Sequence, residues 1–227
     1  MKINDASKFL YKAWCKFLRL FWRVGIFILR LWRVPRYFYG HKNFVPSRYS
    51  IFEGKKIAVV GNAESIFDSE YGELIDSMDV IVRINHGVIS RTESQGSRTH
   101  ILAMSCRMPE KDLVKNFNPE IIYWMTPKWM GMWPYSKDLM RRMFFFPKSD
   151  WSALYISLGH ARPSTGFMIT TFILSSSPAE IHLFGFDFGA SKTFYNDDSY
   201  VSPHNYIAEK NILRNHAREN VLVIHQC

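Results

Sequence analysis

Four short stretches of this chain carry residue types able to hold an anionic group or to move a proton. Gly61-Asn62-Ala63-Glu64-Ser65 closes an apolar, β-branched run. A glycine there permits a tight turn, and a helix starting beyond it would aim free N–H groups at an anion, or the segment is an ordinary strand-to-helix turn. Arg83-Ile84-Asn85 ends a second apolar run, with Gly96-Ser97-Arg98-Thr99-His100 following. The Asn85 amide can bind a phosphate or ribose oxygen, or cap its own turn. Arg162-Pro163-Ser164-Thr165-Gly166 precedes an apolar helical pattern. Its hydroxyls and N–H groups can serve a carboxylate, or simply cap that helix. His204 and Glu209 stand five apart at the start of a polar helical pattern. The helix dipole disfavours imidazolium there and so favours the neutral form a general base needs; taken singly, the residue reads equally as an ordinary surface histidine. No GxGxxG spacing is present, which disfavours a nicotinamide dinucleotide.

The elements that would position these residues alternate. Apolar runs at Lys56–Val60, Val80–Ile84, Thr99–Met104, Glu120–Met125, Leu154–Leu158, Glu180–Phe186 and Asn220–His225 predict strands. Helical spacing predicts helices over Glu64–Met78, Pro109–Phe117, Ser164–Ser176 and Pro203–Arg218. Strand and helix in alternation predict an α/β fold, a Rossmann-like, mainly parallel sheet flanked by helices. In such sheets ligands sit beyond the carboxyl ends of the strands, and the four stretches fall at strand ends or helix starts.

The charge is elsewhere. Residues 1–50 hold eleven Lys and Arg against the single acid Asp5, so the net +9 of the 227-residue chain resides there and residues 51–227 are near neutral. A nucleic-acid-binding domain would carry the charge on its folded body, so no nucleic acid is expected. Lys8, Lys12, Lys16, Arg19, Arg23, Arg30 and Arg33 recur at helical steps among Trp14, Phe17, Phe21, Trp22, Phe27 and Trp32. This predicts a basic amphipathic helix over residues 8–34, lying on an anionic membrane surface. The longest uncharged run in that stretch, Val24–Leu29, is far short of the roughly 20 residues a span requires. A helix packed on the domain or on a second subunit is the alternative. Pro35 ends the pattern, and residues 36–50 read as a linker. Three scattered cysteines, none in a CxxC pair, indicate a reducing compartment and no structural zinc.

Taken together and in this order, the stretches resemble glycosyltransferase family 29, the sialyltransferases, as a short bacterial-type member. Val59-Val60-Gly61-Asn62, Tyr71-Gly72, Ile75-Asp76-Ser77-Met78-Asp79 and Val82-Arg83-Ile84-Asn85 are similar to the family's large motif, which Gly96–His100 continues. Pro163-Ser164-Thr165-Gly166 through Glu180–Phe186 resembles the small motif, and His204 with Glu209 the very small one. The cysteine pair of the animal enzymes is missing, and Tyr195 and Tyr200 alone remain of the His-Tyr-Tyr motif.

The resemblance implies an inverting, metal-independent transfer of sialic acid from CMP-sialic acid to a hydroxyl of a glycan or glycolipid. His204 would be the base. Asn62, Asn85, Ser164, Thr165, Gly166 and Tyr195 would bind the donor, with Gly61 and Glu209 in support. The CMP-sugar would be a co-substrate, with no further cofactor. Asp197-Asp198 is adjacent, unlike the Asp-x-Asp of metal-dependent sugar transferases. Kdo shares the anomeric carboxylate, so a CMP-Kdo transferase of lipopolysaccharide core assembly is an alternative. A non-catalytic membrane-associated interaction protein on a decayed transferase fold is another. The expected location is cytoplasmic, peripheral on the inner membrane face.

Overall fold

The computed structural model describes residues 50–127, 135–197, 199–217 and 221–226. The expected helix over residues 8–34 and the linker behind it lie outside the described residues. Among the described residues, no helix is long and apolar enough to cross a membrane.

Seven strands form one sheet: β1 (Lys56–Val60), β2 (Val80–Ile84), β3 (Ile101–Met104), β4 (Ile121–Trp124), β5 (Met143–Phe145), β6 (Glu180–Phe184) and β7 (Leu222–Ile224). Their order is β5-β4-β3-β2-β1-β6-β7, and every neighbouring pair is parallel. The chain winds outward from β1 to β5, then crosses back to lay β6 on the other side of β1. The crossing opens a crevice at the carboxyl ends of β1 and β6, the usual ligand position in a doubly wound sheet.

The strands read as continuous apolar runs because both sheet faces are covered. Alternate residues serve opposite faces. Ile57, Val59, Val82, Ile181 and Leu183 pack with Phe167, Ile169 and Ile173 of α6 (Thr165–Leu174), and with Leu213 of α7 (Tyr206–Ala217). Ala58, Val60, Ile81 and Phe184 meet Ile66 of a 3-10 turn (Glu64–Asp68) and Ile75 of α1 (Gly72–Asp76). Further along this second face, Leu102, Met104, Ile122 and Trp124 pack on Leu113 of α3 (Glu110–Asn116) and Leu139 of α4 (Lys137–Arg141). Helix α6 is apolar on nearly every side and is buried accordingly, with eight of its ten residues inside.

Two sequence expectations need correction. Leu154–Leu158 is helical, within and just after α5 (Lys148–Ser157), and the fifth strand is instead Met143–Phe145. Trp151, Leu154, Tyr155 and Leu158 follow the i, i+3, i+4, i+7 spacing of a helix, and the Trp151 and Tyr155 rings stack with centroids 5.2 Å apart. Glu64–Met78 is not one helix but the 3-10 turn and α1, separated where the Tyr71 hydroxyl donates to the Gln226 carbonyl at 2.8 Å.

Arg83 explains the segment after it. Its guanidinium, 1% exposed, donates to the carbonyls of Gln95 and Arg98 at 2.9 and 2.8 Å and to Thr99 Oγ1 at 3.0 Å. Burial pulls its pKa down to about 10, and the nearby Asp76 carboxylate opposes that pull. The segment running from α2 (Thr92–Gln95) into β3 is therefore tied to the end of β2 from inside the protein.

Candidate active site

The crevice holds a cavity of about 450 Å³, within the range of small-molecule sites. Gly61, Asn62, Asn85, Ser164, Thr165, Gly166, Tyr195, His204 and Glu209 all line it. Every site residue expected from the sequence is thus brought to one place, although they are spread over nearly 150 positions. Gly96–His100 takes no part in the wall; its work is the Arg83 anchorage described above.

The floor is made of strand ends. Gly61 continues β1, its N–H donating to the Phe184 carbonyl at 2.7 Å. A methyl group here would lie 2.3 Å from the Gly185 carbonyl oxygen, so only glycine lets β1 and β6 leave the sheet side by side. Asn62 then turns its amide nitrogen to the Ile84 carbonyl at 2.8 Å, binding the end of β1 to the end of β2. Asn85 sits at φ 49°, a left-handed conformation that Asn tolerates better than most residues. Its Oδ1 accepts from the Ser105 N–H at 2.8 Å and its Nδ2 donates to Thr165 Oγ1 at 3.2 Å. Thr165 in turn donates to Ser105 Oγ at 2.8 Å. This network fastens the start of α6 to the ends of β2 and β3.

The Tyr195 hydroxyl faces the amides of Asn62 and Asn85. Burial of that hydroxyl raises its pKa to about 12, so the phenol stays protonated, while the residue as a whole remains 37% exposed.

The wall opposite is the loop before α6, and two side chains hold it. His204 Nδ1 lies 2.8 Å from the Arg162 carbonyl. A carbonyl only accepts, so Nδ1 carries the proton and Nε2 is left as the acceptor. Burial, aided by the Arg162 charge, keeps the imidazole below its ordinary 6.5, although the bond to the Arg162 carbonyl pulls the other way. Glu209, in the first turn of α7, reaches the other side of Pro163. Ser164 donates to it twice, N–H to Oε1 and Oγ to Oε2, both at 2.7 Å. Only 2% exposed, Glu209 is pushed by burial to about 7, against the lowering effect of the Ser164 bonds.

The five-residue spacing of His204 and Glu209 therefore has a physical meaning: the pair straddles Pro163. Ser164 is committed to Glu209 and, through its Oγ, to the Phe167 N–H at 3.1 Å as the helix cap. The N–H groups of Thr165 and Gly166, the first two positions of α6, have no acceptor within the helix, and both residues line the cavity. Gly166 also lets the helix end approach the Phe186 ring, 2.8 Å from where its Cβ would stand.

Sequence reasoning missed Ser105, His86, Phe186 and the side chain of Arg162, all in the cavity wall. Ser105 was within reach of it, because it follows β3 as Asn85 follows β2. Among the described residues, no group of three His, Cys, Asp or Glu is placed to hold a metal ion.

The switch-point crevice of this parallel doubly wound sheet gathers amides, hydroxyls, the start of a helix and an imidazole. The model of glycosyltransferase family 29 (sialyltransferase) matches residues 45–120. That span includes the large-motif residues and bears out that part of the resemblance. Solved structures of the same fold include a mammalian sialyltransferase, 18% identical with TM-score 0.57, covering 76% of this chain and 69% of that one. The monofunctional alpha-2,3-sialyltransferase Cst-I from Campylobacter jejuni is 13% identical with TM-score 0.51, covering 82% and 78%. A curated relative, beta-1,6-galactosyltransferase GALT29A of Arabidopsis thaliana, is 42% identical over 45 residues, 19% of this chain. The aligned stretch spans only 11% of that protein. The likeness to the solved structures shows that the chain has the sialyltransferase fold.

Proposed function

We propose that this chain transfers a sialic acid from CMP-sialic acid to a hydroxyl of a glycan or glycolipid, with inversion at the anomeric carbon and without a metal. The observation carrying this reading is His204, anchored through Nδ1 to the Arg162 carbonyl, with Nε2 unprotonated in the cavity wall. In the proposed step the acceptor hydroxyl gives its proton to Nε2 while its oxygen bonds to the anomeric carbon. The bond from that carbon to the phosphate oxygen breaks on the opposite face, and CMP leaves with the electron pair. General-base assistance of this kind is worth about 10²–10⁴-fold in rate. The N–H groups of Thr165 and Gly166 are available to the charge that develops on the leaving group. Solved relatives support the same pairing of ligands: a sialyltransferase CST-II structure contains CMP, and a mammalian one contains Gal-beta-1-3GalNAc-ortho-nitrophenol.

Two other donors have a specific basis. CMP-Kdo presents the same anomeric carboxylate, and the galactosyltransferase relative favours a neutral hexose. Incubating the full chain with CMP-sialic acid, CMP-Kdo or a nucleotide-linked galactose, and measuring nucleotide released with an acceptor present, separates them. Release from CMP-sialic acid is the expected result; release only from the neutral donor refutes the sialic acid reading, and release from none favours a non-catalytic binding protein.

The basic, aromatic stripe of residues 8–34 supports attachment to the cytoplasmic face of a membrane, where a glycolipid acceptor would be within reach. Deletion of residues 1–40 should abolish co-sedimentation with anionic vesicles; retained binding contradicts the attachment.

A further inference from the structure

We propose that the Arg162 guanidinium pairs with the carboxylate on the donor's anomeric carbon, and so selects a sugar acid over a neutral hexose. This rests on the proposed function above and names what that site recognises.

Arg162 is the only Lys or Arg among the described residues that line the cavity. No carboxylate pairs with it among the described residues. The other charged groups in the wall are already occupied. Asp187 accepts from the N–H groups of Ser191 and Gly189 at 2.7 and 3.0 Å and from Ser65 Oγ at 3.3 Å. Glu209 is buried against Ser164. One free cation therefore stands in a crevice whose own anions are spent on loop structure, which is a cavity made for an anion.

Position narrows which anion. The Arg162 carbonyl holds the base His204, so the guanidinium stems from the residue that fixes the base. Its charge is felt by the His204 imidazole and also by the Cys106 thiol, both in the wall of the same cavity. In an in-line displacement the base attends the attacking face, and the phosphate departs from the other. The carboxylate is a third substituent of the same carbon, directed to neither pole. A cation beside the base is thus suited to the carboxylate, and the unbonded N–H groups of α6 remain for the phosphate. The arrangement also couples binding to chemistry. The Arg162 charge by itself lowers the proton affinity of His204. A donor carboxylate that neutralises Arg162 relieves that effect and makes the base stronger once the donor is in place.

The test compares Arg162→Gln and Arg162→Lys with the unaltered full chain, titrated calorimetrically with CMP and with CMP-sialic acid in the absence of acceptor. A charge-assisted bond to a carboxylate is worth about 10–100-fold in affinity. Arg162→Gln is expected to weaken CMP-sialic acid by that factor and to change CMP by less than about 3-fold, with Arg162→Lys recovering part of the loss. Equal weakening of both ligands assigns the cation to the phosphate and overturns the proposal, as does unchanged affinity for CMP-sialic acid. An unaltered chain that binds no CMP removes the nucleotide reading, and this proposal with it. Arg162 is exposed, so Gln and Lys leave the fold intact, which thermal unfolding verifies.

Discussion

Replacing Glu209 by Gln separates the charge of this buried side chain from its shape. Glu209 ionises at about 7 in the folded protein, against an ordinary 4.5, because burial disfavours the carboxylate. The folded state therefore holds this proton more tightly than the unfolded chain. Below pH 4.5 both states are protonated and the contribution is fully present. Between pH 4.5 and 7 the unfolded chain has released the proton and the folded one has not, so stability falls as pH rises through that window. At about 1.4 kcal/mol per pH unit, the whole loss is roughly 3 kcal/mol, and above pH 7 it is complete. With 2% of the residue exposed, solvent does little to screen it. Gln keeps an oxygen for the Ser164 N–H and an amide proton for Ser164 Oγ, and it has no proton to lose. Urea unfolding of both proteins between pH 4.5 and 8 reads the difference directly. With a denaturant slope of about 2 kcal/mol per molar, the unaltered midpoint should fall by roughly 1–2 M relative to Glu209→Gln across the window. Other titrating groups are common to both chains and cancel in the comparison. Parallel pH dependences would refute the reasoning, because they would mean that Glu209 is solvated and the loop before α6 is held by something else.

His204→Ala should lower turnover of CMP-sialic acid by about 10²–10⁴-fold at neutral pH while leaving CMP affinity unchanged, and a turnover within a few-fold of the original removes His204 as the base. In the unaltered protein the acid limb of the rate profile should lie below pH 6.5, since burial makes the imidazole release its proton early; a limb displaced above that value contradicts the assignment. Gly61→Ala should cost about 3 kcal/mol by thermal or urea unfolding, because the added methyl meets the Gly185 backbone and not a side chain that can swing away. A change under about 1 kcal/mol would show that β1 and β6 are free to separate at the crevice.

Much of this protein is legible along the chain. Six of the seven strands lie where apolar runs predict them, since a strand covered on both faces needs a run of apolar residues and little else. The strand-end rule then points to Asn62 and Asn85, and cap chemistry points to Ser164. The fifth strand was not legible: β5 is three residues of an edge, too short to show a period, and the richer pattern at Trp151–Leu158 drew the strand assignment although its spacing is helical. The break between the 3-10 turn and α1 was also hidden, because Tyr71 bonds to Gln226, 155 positions away.

The sequence alone determined which residue types reach the carboxyl edge of the sheet, because hydrophobic period and turn chemistry are local properties. Only the tertiary structure decided what each of them touches. That His204 and Glu209 grip the two sides of Pro163, that Ser164 is spent on Glu209, and that Arg162 is left as the one unpaired cation among the described residues of the cavity wall depend on contacts between segments about 40 residues apart. Such contacts follow from how α6 and α7 pack on one face of the sheet, and packing leaves no periodic trace in the chain.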